Sequence, residues 1–176
     1  MLEDPDVDHD YEFMQPIHRA ALDGNLNILR YLICERGAKV SCIDNAGNTP
    51  LMIACMYTQP AAVQLLLSYG SDMYHLNDVG MNSLIIAADE GSAEIVRLLI
   101  ENNVDVRVHG HWLGGFTALQ TAVMRNSDAI VEMLKEAELV FDKCAAFAMA
   151  HHKRLGLDSM AKALDPEVLR MILERV

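Results

Sequence analysis

The sequence predicts an all-α-dominated repeat solenoid, and three observations carry that reading. Four segments, QPIHRAALDGNLNILRYLI (15–33), TPLMIACMYTQPAAVQLLL (49–67), NSLIIAADEGSAEIVRLLI (82–100) and TALQTAVMRNSDAIVEMLK (117–135), align without gaps at offsets of 34, 33 and 35 residues. The same columns stay apolar or small in every copy: Ile17, Leu51, Leu84 and Leu119; Ala20, Ala54, Ala87 and Ala122; Leu29, Val63, Val96 and Val131; Leu32, Leu66, Leu99 and Leu134. Between units stand turn-forming stretches, VSCIDNAGN and YHLNDVGMN, with Asp-x-x-Gly and Asp-x-Gly chemistry. Self-similarity at this period marks a stacked array in which each unit buries its apolar face on its neighbours.

Taken in chain order, residues 1–13 come first, carrying Glu3, Asp4, Asp6, Asp8, Asp10 and Glu12 and no lysine or arginine. This stretch reads as a flexible, solvated acidic tail, with Phe13 the residue least expected to be free because it adjoins the first helix. Its alternating aspartates invite a calcium loop, but His9 stands where that loop needs glycine and Gln15 where it needs glutamate. Each of the four repeats in 14–138 then reads as two short helices. Leu51, Ala54 and Cys55, spaced i, i+3, i+4, form one helical stripe, and the alanines let neighbouring helices approach closely. Gly24, Gly91 and Asn126 stand where first helices should end in a left-handed cap, and Gly37, Gly70 and Asn103 do so for second helices. Residues 139–176 read as an irregular capping repeat that hides the last apolar face. It has one helix starting at Asp142 and a final one, DPEVLRMILERV (165–176), with Asp165 as N-cap and Pro166 in the first turn.

These residues resemble the ankyrin repeat family. DNAGNTPLMIA (44–54) is close to the family's β-turn followed by T-P-L-H-x-A, and IVRLLIENNVDV (95–106) fits the second half of its repeat. The resemblance covers residues 15 to about 138 and implies helix–turn–helix units joined by β-hairpin-like turns. Only His18 keeps the family's usual histidine, which Met52, Ile85 and Gln120 replace, and Ser83 and Ala118 replace its proline; weaker turn hydrogen bonding is expected there. The asparagine that a hydroxylase modifies in this family has Ser41, Tyr74 and Arg107 at its equivalent positions, so that modification is not expected.

Composition narrows the function further. The net charge of −11, or −5 without the acidic tail, opposes binding to phosphate backbones and to anionic membranes. No apolar run approaches the roughly 20 residues that span a bilayer. The N-terminus lacks the apolar stretch of a signal peptide, and Cys34, Cys42, Cys55 and Cys144 form no CxxC pair. Reduced, buried thiols in an intracellular compartment, cytoplasmic or nuclear, are the expectation. No catalytic motif is present, and Cys144 lies two helical turns from His151 and His152, beyond hydrogen-bond reach. His109 and His111 could share a metal with His151 and His152 only if the loop folded over the capping helix, and no local ligand completes the set. Solvated or stacking histidines are therefore expected, with no cofactor and no metal.

The resemblance also implies where a partner protein would bind: a concave face made of two rows, the turn tips and the outward ends of the first helices. Residue by residue, the helix row is Leu22 and Asp23, Met56 and Tyr57, Asp89 and Glu90, Met124 and Arg125. The tip row is Asn45, Ala46 and Asn48, then Val79 and Met81, then His111, Trp112, Leu113 and Phe116, the last on a turn two residues longer than its predecessors. Large apolar side chains on such tips usually mark an interface, although Trp112 could instead fold back on its neighbours. The expected function is protein–protein interaction, as an adaptor, inhibitor or targeting subunit that is monomeric or part of a hetero-complex. Two alternatives stay open: a subunit that assembles through the C-terminal cap, and a metal-binding or enzymatic protein that uses the histidine-bearing loop and C-terminal helix.

Overall fold

The computed structural model describes residues 15–110 and 115–152. Eight α-helices occur among them, two per repeat: α1 (Pro16–Leu22) and α2 (Leu26–Cys34), α3 (Pro50–Met56) and α4 (Pro60–Ser68), α5 (Ser83–Asp89) and α6 (Ala93–Glu101), α7 (Ala118–Met124) and α8 (Asp128–His152). The chain divides into two compact units, one up to Val131 and the other from Glu132. Within the first unit the first helices pack in series, α1 on α3 on α5 on α7, and the second helices form a parallel series, α2 on α4 on α6.

Local chemistry accounts for these short helices. Pro16, Pro50 and Pro60 open α1, α3 and α4, where a missing N–H costs nothing. Thr49, Asn82 and Thr117 cap the first helices by accepting the N–H of Met52, Ile85 and Gln120. In return Gln120 Oε1 accepts the Thr117 N–H at 2.9 Å, and the Met52 sulfur accepts the Thr49 N–H at 3.4 Å. Met52 and Gln120 therefore leave their N-termini doubly bonded, whereas Ile85 returns no bond to Asn82, whose buried Nδ2 has no partner. What Met52 and Ile85 cannot supply is the link made by His18, whose buried Nε2–H points at the carbonyls of Cys42 and Asn48, 3.2 and 3.1 Å away. Helices stop where the backbone turns left-handed, at Gly24, Gly91 and Asn126 and at Gly37, Gly70 and Asn103 as the sequence suggests. Thr58 takes the same conformation just after α3, the first helix of the second pair. It is a β-branched residue there and carries local strain.

The apolar columns form the core. Leu29, Leu51, Leu66, Leu84, Leu99, Val63 and Val96 are fully buried, as are Ala54, Ala87 and Ala122. The frame loosens at its ends, where Leu32, Leu119 and Val131 are half-buried. One expectation is corrected here. No helix begins at Asp142, because α8 runs unbroken from Asp128 to His152, through the boundary expected after residue 138. That segment contains no glycine or proline to stop a helix, so Asp142 lies inside one and does not cap it. Residues 153–176, with Asp165 and Pro166, lie outside the described residues.

The thiols divide by exposure. Cys55 is fully buried, which pushes its pKa far above the usual thiol range, whereas Cys34 is exposed, with its Sγ 3.2 Å from the Tyr69 hydroxyl. A soluble alkylating reagent should therefore modify Cys34 in the native protein and reach Cys55 only after denaturation, as peptide mapping would show. Rapid native labelling of Cys55 would contradict the packing of α3.

Candidate functional site

The tips are built by backbone pairing across each turn. Asp44 N–H donates to the Asn48 carbonyl at 3.0 Å, Asn77 N–H to the Met81 carbonyl at 3.0 Å and Gly110 N–H to the Phe116 carbonyl at 3.1 Å. The third turn thus closes over two more residues than the first two. In the first, the Asp44 carboxylate accepts the N–H groups of Ala46 and Asn48, at 2.9 and 2.7 Å. In the second, the Asn77 side chain accepts the Met81 N–H at 2.9 Å and donates to Asn48 Oδ1 at 2.8 Å. The third has Gly110 in that place, and the turn is held instead by His109, whose Nδ1–H donates to the Gly115 carbonyl at 3.0 Å.

Successive tips are also bonded to each other. Asp78 N–H donates to the Ala46 carbonyl at 3.1 Å, and His75 Nε2–H to the Gly47 carbonyl at 2.9 Å. Gly110 packs so tightly on the second tip that a Cβ there would stand 2.6 Å from the Gly80 carbonyl oxygen. The turns form a platform of linked backbone, with side chains standing on it.

The structure places the expected contact residues as follows. Tyr57 and Val79 are exposed, Met124 is 65 % exposed, and Glu90 and Arg125 are exposed. Met56, Met81, Phe116 and Asp89 are half-buried, and the backbone carbonyls of Met81 and Phe116 close their turns. His111, Trp112 and Leu113 lie outside the described residues. Asn48 is buried rather than presented, since its side chain is used between Asp44 and Asn77. Asp89 and Arg125, one repeat apart on the helix row, form a two-pronged ion pair with both N–O distances at 2.7 Å. That hydrogen-bonded carboxylate raises the Arg125 guanidinium above its usual pKa. Residue-type reasoning missed Val123, which is 55 % exposed although Ala21, Cys55 and Ala88 in the same column are fully buried. The signal was available: the column is small in three repeats and β-branched in the fourth.

Among the described residues no three His, Cys, Asp or Glu side chains cluster to hold a metal, and no helix is long and apolar enough to cross a membrane. Comparison with known proteins decides the family. The family described as Ankyrin repeats (3 copies) matches residues 1–77 and 61–143. The chain belongs to the ankyrin repeat proteins. Among its relatives are Ankyrin repeat domain-containing protein SAT10 of Stachybotrys chartarum, 34% identical over 155 residues, and Ankyrin repeat and KH domain-containing protein mask-1 of Caenorhabditis elegans, 31% identical over 153. The matches take in 88% and 85% of this chain, but only 8% and 5% of those proteins. Human B-cell lymphoma 3 protein is 27% identical over 128 residues, covering 69% of this chain and 28% of that one. Ankyrin repeats are generally protein–protein interaction modules, and the first two of these relatives are named for their ankyrin repeats.

Proposed function

We propose that this ankyrin repeat chain binds a partner protein across its turn tips and first-helix ends, as an adaptor, inhibitor or targeting subunit without chemistry of its own. The observation that carries the reading is the exposure of Tyr57, Val79 and Met124, three large apolar side chains on those rows. Val79 stands on a tip hydrogen-bonded to its neighbour, and Tyr57 and Met124 at the ends of packed helices, so little ordering would oppose binding. Trp112, Leu113 and His111 belong to the same patch by sequence position, with Phe116, Met81 and Met56 filling between the exposed groups and Glu90, Asp89 and Arg125 forming a charged rim. The net charge of −11 favours a protein partner over nucleic acid or an anionic membrane. An intracellular, cytoplasmic or nuclear, setting suits the unpaired thiols.

The test is quantitative capture by the immobilised chain, comparing wild type with Trp112→Ala and Met124→Ala. Each substitution should weaken capture of the same partner by about tenfold or more while the melting midpoint stays nearly in place. Surviving capture together with a midpoint lowered as far as by a core substitution would mean that Trp112 is packing and the patch is wrong. Leu139, exposed on α8, favours a second reading in which the C-terminal part joins a larger assembly; a Leu139→Asp variant that lowers the solution mass of the complex would support it.

A further inference from the structure

Acid gathers on the two rows. Among the described residues they carry Asp23, Asp89 and Glu90 at helix ends and Asp44 and Asp78 at tips. Against these stand Arg125 and, one turn back on α1, Arg19. Both guanidiniums are already engaged, Arg19 with Asp23 at 3.2 Å and Arg125 with Asp89 at 2.7 Å. Glu90 and Asp78 stay exposed. Asp23 and Glu90 are also the C-caps of α1 and α5, where the negative end of the backbone dipole makes a carboxylate unfavourable. The free fold gains nothing from an exposed Glu90 there, whereas a cationic occupant would.

Among these charges the rows present methionine. Met124 is 65 % exposed and Met56 and Met81 are half-buried, with the exposed Tyr57 and Val79 close to them in sequence. Unbranched thioether side chains repack around varied apolar shapes, and a methionine-bearing surface set among carboxylates suits the apolar stripe of a basic amphipathic helix. The backbone argues for a helix over an added strand. The tips spend their N–H and C=O groups on their own turns and on each other, through Asp44–Asn48, Asn77–Met81 and Asp78–Ala46, so the occupant has to satisfy its own backbone. Its length follows from the array. Because α3, α5 and α7 pack in series, with neighbouring axes ~8–10 Å apart, the ends bearing Met56 and Met124 lie ~16–20 Å apart. An α-helix covers that distance in about 11–13 residues.

We infer that the occupant of these rows is a basic amphipathic helix, its apolar stripe on Met124, Tyr57 and Val79 and its lysines or arginines against Glu90 and Asp78. The inference rests on the rows being the binding surface. Two synthetic helices of about 13 residues, with leucine on one face and either lysine or glutamate on the other, test it by fluorescence anisotropy against the full chain. The lysine peptide should bind and the glutamate peptide should not. Asp78→Asn/Glu90→Gln should weaken the lysine peptide by about tenfold, and Met124→Ala should do the same. Glu101→Gln/Glu136→Gln removes the same charge from exposed sites off the rows and should weaken it by less than about twofold. Equal weakening by the two double neutralisations would mean attraction to the net charge alone and would overturn the inference, as would a lysine peptide that does not bind. A glutamate peptide that binds and is weakened by Met124→Ala would also overturn it, while leaving the rows as the surface. Binding of either peptide that Met124→Ala and Tyr57→Ala leave untouched would count against the inference and the surface together.

Discussion

Leu66→Ala and Leu99→Ala are each expected to destabilise the fold by roughly 2–5 kcal/mol. Both side chains are fully buried on the second helices of central repeats, α4 and α6. Truncation removes apolar contacts on both sides at once, because a central repeat packs on a preceding and a following neighbour, and rigid helices cannot close the cavity completely. For a chain of this size each kcal/mol moves the melting midpoint by about 2–4 °C. Leu32 supplies an internal control. It occupies the same column in the first repeat but is only half-buried, so Leu32→Ala should cost distinctly less. Stability in such arrays is a sum of repeats and their interfaces, so a central loss should also broaden the transition as the array divides. A midpoint for Leu66→Ala no lower than that for the exposed Gln64→Ala would place the register of the repeats in error.

What the sequence made legible follows from what repeats demand of it. The buried columns depend on short-range spacing and on the fixed period, both readable from residue types, so Leu66, Ala87 and Leu99 fall where expected. Helix ends were equally readable at Gly24, Gly70 and Asn103, since few residues tolerate a left-handed backbone. Thr58 escaped notice because its type argues against the conformation it adopts. Asp142 misled for the opposite reason: it is a good capping residue, but capping matters only where a helix begins, and nothing in 128–152 ends one. Asp89 and Arg125 were placed on the helix row one by one, without their pairing. Their pairing joins positions 36 residues apart and becomes visible only when neighbouring repeats are laid side by side. The exposure of Ile28 was the least legible, because it shares a column with the buried Ile95 and Ile130 and matches them in residue type.

Gly110 carries the second large expected effect. By residue type, the glycines of VHGHWLGGF suggest a loop that adapts, but Gly110 is buried and fixed. Its N–H donates to the Phe116 carbonyl, closing the third turn, and the space a side chain would need is taken by the Gly80 carbonyl oxygen, 2.6 Å from a Cβ, with Ile85 Cδ1 at 3.4 Å. The obstacle is the backbone of the neighbouring tip, which cannot swing aside as a flexible side chain would. In the other repeats the equivalent residues, Asp44 and Asn77, use their side chains to hold their own turns; here close approach between tips takes the place of that device. Gly110→Val must therefore separate the two tips or break the Gly110–Phe116 bond, and a cost toward the upper end of roughly 1–3 kcal/mol is expected. Gly115→Ala is a different case, because there the difficulty is a φ of 75° and not a buried neighbour at 2.6 Å. Since the loop bearing Trp112 starts from Gly110, the valine variant should also weaken partner capture. Trp112→Ala should weaken capture alone, and that contrast separates a residue that positions the tip from one that touches the partner. A Gly110→Val protein with an unchanged midpoint and intact capture would show that the tips are not packed against each other as described.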